Sequence, residues 1–142
     1  MSMTEAEIAQ YIFDTFPGVE TAENLGYTFF FYGADHNLPF ATLATADNDY
    51  DRVSNLNRPG VFRLNIGVGK QTFQSLFGAD RVDVSRYDYT ALDCIMPHPD
   101  YAAQKFICVL NPTEATFERV QTLLAEAYEL ARVRYAKRTK TE

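Results

Sequence analysis

The sequence predicts a two-layer α+β domain: a mainly antiparallel, five-stranded sheet with the N- and C-terminal helices packed on one of its faces. Three observations point there. The run Lys105-Phe106-Ile107-Cys108-Val109-Leu110 is apolar at five consecutive positions, so as a strand it must be covered on both faces. The segment after it carries one wide apolar helical stripe. Residues Val61 to Val68 alternate instead, with Phe62, Leu64, Ile66 and Val68 on one face and Arg63 and Asn65 on the other, the pattern of an antiparallel strand.

Taken in order, Thr4 with Glu7 has capping-box spacing and opens a helix over 4–16. Ile8, Tyr11, Ile12 and Phe16 supply its apolar side, and Pro17-Gly18 stops it. Val19 to Glu23 pairs across Asn24-Leu25-Gly26 with Tyr27 to Tyr32, and a loop ending in Pro39 leads to a third strand, Phe40 to Thr45. Arg58-Pro59-Gly60 introduces the strand over 61–68, and a short helix, Thr72 to Phe77, ends at Gly78. After strand 105–110, Asn111 is expected to cap the last helix, with Pro112 at its first position and Glu114 reaching back to the cap. Phe117, Val120, Leu124, Ala127 and Ala131, flanked by Leu123 and Leu130, form the stripe of this helix over 113–138. Arg132, Arg134, Lys137, Arg138 and Lys140 crowd its end, where cations suit the negative pole of the helix. The element order is α-β-β-β-β-α-β-α, in one domain spanning residues 1–142.

Residues 79–104 fit this scheme least well. A structureless connection of that length is uncommon in a compact domain, so it is expected to act as a cover, with a helical turn over Thr90 to Met96 where Thr90 and Asp93 have capping-box spacing.

Composition narrows the function classes. A chain of 142 residues, 46% hydrophobic and 14% aromatic, suits a globular domain able to bury roughly two thirds of its unfolded surface. No segment reads as a leader or a membrane span, which points to the cytoplasm. Cys94 and Cys108 lack metal or CxxC spacing and read as reduced thiols. The first 51 residues hold nine acids and no Lys or Arg, which disfavours adhesion to phosphate backbones. A solvated acidic face is the plain reading, and a surface for cations or a basic partner is the functional one. Asp47-Asn48-Asp49-Tyr50-Asp51 lacks the Gly and the distal Glu of a calcium loop, and Gly67-Val68-Gly69-Lys70 lacks the spacing and the Ser/Thr of a phosphate loop. No metal or cofactor is therefore expected.

Two resemblances follow from particular runs. From Tyr101 through strand 105–110 to Leu123-Leu124 and Ala127-Tyr128-Glu129-Leu130, the chain resembles the C-terminal part of MmcQ/YjbR-like domains, in which a loop leads to a strand and then a helix ending in Tyr-Glu-Leu. It departs from that pattern at Gln104-Lys105-Phe106, where an aromatic, usually Trp, follows a basic pair. Phe62 to Val68, Asp88-Tyr89-Thr90-Ala91-Leu92-Asp93 and Met96-Pro97-His98-Pro99 make the whole chain more similar to a bacterial family of unknown function. The first resemblance implies a CyaY-like two-layer fold and a role with nucleic acid.

The residues themselves favour a ligand pocket. Strand 27–32 is apolar on both faces, so the face opposite the helices needs a cover, and segment 79–104 is long enough to supply one. Any gap it leaves would hold Arg63 and Asn65 in an aromatic cavity edged by Tyr89, His98 and Tyr101, the general form of a small-ligand site. Each has a plainer reading: Arg63 as the ion-pair partner of a nearby acid, Asn65 as a strand-face hydrogen bonder, and His98 as a loop residue tying down backbone. The leading expectation is thus a non-catalytic domain that binds a small ligand or a protein partner, with a homodimer through the two-sided sheet or its covering loop as one such partner. The alternatives are MmcQ/YjbR-like nucleic-acid binding, and an enzyme using His98 with Asp93 or Asp100 or, less simply, with Cys94 as nucleophile. No catalytic residue is assigned.

Overall fold

The computed structural model describes residues 2–34 and 36–140. Asp35 of the acidic stretch, Glu142 and the side chain of Lys140 in the basic helix end lie outside the described residues. Three helices, α1 (Glu5–Thr15), α2 (Lys70–Phe77) and α3 (Glu114–Lys140), accompany strands β1 (Val19–Asn24), β2 (Tyr27–Tyr32), β3 (Ala41–Ala44), β4 (Arg63–Gly67), β5 (Met96–Pro97) and β6 (Phe106–Leu110). The sheet order is β1-β2-β3-β4-β6-β5, and every pairing is antiparallel.

The Thr4 box closes as expected: its hydroxyl accepts from the Glu7 amide at 3.1 Å, while the Glu7 carboxylate accepts from the Thr4 amide at 2.9 Å. The β1–β2 hairpin turns through Leu25 and Gly26, whose φ angles of 53° and 81° are those of a two-residue turn matched to strand twist. One face of the sheet, with Phe30, Leu43, Leu64, Ile66, Ile107 and Val109, packs against Ile8, Ile12 and Phe16 of the first helix and Phe117, Val120, Leu124 and Ala127 of the last. Helix α2 adds Phe73 to this core. This layer holds most of the buried apolar side chains and so most of the hydrophobic stabilisation.

Three expectations are corrected. The sheet has six strands rather than five, because Met96 and Pro97 pair with Cys108 and Ile107 at the outer edge. A two-residue strand has no periodicity to read, and proline is tolerated at an edge, where its missing donor breaks no ladder. No helical turn forms over Thr90–Met96. Thr90 instead donates to the Asp88 carboxylate through its amide and its hydroxyl, and Asp93 turns away to the last helix. Finally, α3 begins at Glu114, capped by Thr113, whose hydroxyl accepts from the Thr116 amide at 3.3 Å. Asn111, with φ of 40°, is a turn residue whose side chain ties Phe62 and Gly60 to the strand end.

Candidate functional site

The antiparallel register builds the face opposite the helices in cross-strand rows. One row is Tyr27, Ala44, Arg63 and Leu110; the next is Phe29, Thr42, Asn65, Cys108 and Met96. Over the β4–β6 half, segment 79–104 does act as a cover. Tyr89 and Met96 bury themselves with Leu56, Cys108 and Leu110, and Val84 and Tyr87 pack alongside. Over the β2–β4 half the cover stops short and leaves a cleft of about 560 Å³. Its apolar walls are Leu25, Phe29, Leu38, Phe40, Val68, Phe106 and Leu130, and its polar groups include Thr42, Asn65, His98 and Arg134.

Beneath this cleft lies a buried polar network. Arg63 is wholly buried, and its guanidinium spans both oxygens of Asp51, which also accepts from the Tyr27 hydroxyl. Arg63 further donates to the Ser54 hydroxyl at 2.9 Å and to the Asn65 side-chain oxygen at 3.0 Å, and Asn65 passes the chain on to the Thr42 hydroxyl at 2.8 Å. Burial opposes both charges. The hydrogen bonds and the mutual attraction outweigh it, holding the Asp51 carboxyl below its ordinary range and the Arg63 guanidinium above its own. Tyr27, half-buried and bonded to Asp51, has its hydroxyl pushed up to about 12, first by burial.

His98 closes one side. Its Nδ1 accepts the backbone N–H groups of Asp100 and Tyr101 at 3.0 and 3.1 Å, which places the ring proton on Nε2. Burial, aided by the Arg63 charge, lowers its pKa to about 3, so the ring is neutral near pH 7. The Nε2–H has no acceptor among the described residues, and the ring lines the cleft.

Of the five residues expected at the pocket, Asn65, His98 and Tyr101 line the cleft, Tyr101 as an exposed rim group. Arg63 lies under the floor, paired as its plainer reading held. Tyr89 is elsewhere: its hydroxyl donates to the Pro97 carbonyl at 2.7 Å inside the cover, and burial raises its pKa. The sequence reading missed Thr42, Asp51 and Ser54. Thr42 was detectable as the polar residue of its strand that shares a row with Asn65.

The other proposed chemistry does not assemble around His98. Asp93 accepts from the Thr113 amide at 2.8 Å at the start of the last helix, and Asp100 bonds His98 through its backbone, not its carboxylate. Cys94 is exposed, whereas Cys108 is buried with its thiol pushed up to about 12 by burial, which keeps it protonated. The Gly69 amide that opens α2 donates to the Glu126 carboxylate at 2.6 Å, so that helix start is occupied from within the chain. Among the described residues no group of three or more His, Cys, Asp or Glu side chains is placed to hold a metal ion, and no helix is long and apolar enough to cross a membrane.

Comparison with known proteins finds no match among curated proteins and none among solved structures. The MmcQ/YjbR-like resemblance finds no support there. One family model does match, over residues 3–140, nearly the whole chain. The similarity expected from Phe62–Val68 and Asp88–Pro99 is thereby placed: the chain belongs to DUF6194, a family of unknown function.

Proposed function

We propose that this protein is a non-catalytic binding domain for a small, largely apolar organic molecule held in the cleft above β2, β3 and β4. The observation that carries this reading is the cleft itself: about 560 Å³ of space on a rigid sheet, walled by Phe29, Phe40, Val68 and Phe106, with Thr42, Asn65 and His98 converging at its base. Ligand sites have this form and this range of size. The floor is pre-organised, because Arg63 and Asp51 lock Asn65 and through it Thr42, so a ligand would pay little to order it. A net charge of -6 favours a small molecule over nucleic acid.

Titration of isotopically labelled protein with 2-naphthylmethanol tests the reading. Amide shifts clustered at Thr42, Asn65, Gly67 and Phe106 are expected. Shifts scattered over the helix-covered face, or none at millimolar probe, would remove it.

A further inference from the structure

The polar lining of the cleft is mixed: Asn48, Asp51, Asp100 and Gln104 stand beside Thr42, Asn65, His98 and Arg134. Around Asn65 the acceptors are occupied, the Asn65 oxygen by Arg63 and the Asp51 oxygens by Arg63 and Tyr27. The uncommitted groups around Asn65 are donors: the His98 Nε2–H, and the Thr42 hydroxyl proton, since that oxygen already accepts from Asn65. Arg134 extends this pattern with a full charge. It sits one turn beyond Leu130 on the last helix, and both side chains line the cleft.

Arg134 is half-buried, and it takes part in no ion pair or hydrogen bond among the described residues. The other arginine at the cleft, Arg63, is fully neutralised by Asp51. The two lie at different ends: Asp51 meets the first residue of β4, whereas Leu130 approaches Gly69 beyond its last, and the strand between spans roughly 13 Å. A partly desolvated, unpaired guanidinium is an unfavourable arrangement that a bound carboxylate would relieve through charge-assisted, two-pronged hydrogen bonds. Burial and the charge of Arg138 already press its pKa down, consistent with a cation lacking a partner.

We infer that the cleft takes an amphiphilic organic anion, its carboxylate on Arg134 and its apolar or aromatic body lying along Phe40, Val68, Phe106 and Phe29. This rests on the reading of the cleft as a ligand site and assigns the class of ligand.

Three probes of one shape separate the two ideas: 2-naphthoate, 2-naphthylmethanol and 2-naphthylmethylammonium, titrated by calorimetry and by amide shifts against the wild type and Arg134→Gln. The carboxylate is expected to bind roughly tenfold tighter than the alcohol, and the ammonium more weakly than either. Arg134→Gln should bring the carboxylate to within about twofold of the alcohol while leaving the alcohol unchanged. Equal binding of carboxylate and ammonium, or a carboxylate preference that survives Arg134→Gln, overturns the inference but leaves the cleft a binding site. Failure of all three probes to perturb the cleft overturns the site itself, and the inference with it.

Discussion

Arg63 and Asp51 meet beneath the cleft as a two-pronged ion pair, with the guanidinium entirely out of solvent and the carboxylate nearly so. The pair joins a sheet strand to the 45–62 loop, and so fixes one wall of the cleft to its floor. Removing one partner strands a buried charge. Asp51→Ala should therefore cost about 3–5 kcal/mol in urea unfolding, whereas Asp51→Leu combined with Arg63→Met should recover much of that loss. A single-variant cost below about 1 kcal/mol would mean that water reaches Arg63 freely.

His98 makes stability depend on pH in a defined direction. Its folded pKa, about 3, lies below its ordinary 6.5, so its contribution is fully present above pH 6.5 and is lost as pH falls toward 3. Asp51, also depressed, adds a loss in the same sense below its ordinary 3.8. The slope from His98 is at most about 1.4 kcal/mol per pH unit. Nitrogen-15 spectra should show the His98 ring neutral, with its proton on Nε2, from pH 8 down to pH 4. A titration midpoint between pH 6 and 7 would contradict the assigned burial.

Gly67 is needed for the shape of the cleft. A Cβ added there would come within 2.9 Å of the Phe106 ring, which would have to lift away from the sheet and into the ligand space. Gly67→Ala should lower stability by about 1–2 kcal/mol and weaken 2-naphthoate binding more than it weakens the fold. Unchanged affinity would place the probe elsewhere.

Asp93 serves the last helix rather than chemistry. Its carboxylate holds the Thr113 amide and hydroxyl, and that backbone hydrogen bond is the main reason its pKa is depressed. Asp93→Ala should cost no more than about 1 kcal/mol and leave probe affinity at the cleft intact. Loss of binding without loss of stability would return Asp93 to the site.

What could be read from the chain, and what could not, divides along physical lines. The clean alternation of Phe62 to Val68 placed Leu64 and Ile66 in the core and Arg63 and Asn65 on the far face, because side-chain direction in a strand is local. The helix-facing stripe from Phe117 to Ala131 was legible for the same reason. Asp51 was not. It meets Arg63 across a loop that has no period, and nothing in Asp47–Asp51 marks which acid turns inward. Tyr101 reaches the rim of the cleft, but Tyr89, expected beside it, is buried against Pro97, because the path of segment 79–104 is set by the β5 pairing that two residues cannot announce. Arg134 read as a helix-end cation, and only the folded chain brings it to the cleft.

Whether the cleft holds a ligand is tested most directly by crystallography. A crystal of the protein soaked with 2-naphthoate is predicted to show the ring system between Phe29 and Phe106, with the carboxylate directed at Arg134. Density elsewhere alone, or a cleft filled by its own side chains with Phe106 collapsed onto Thr42, would contradict it.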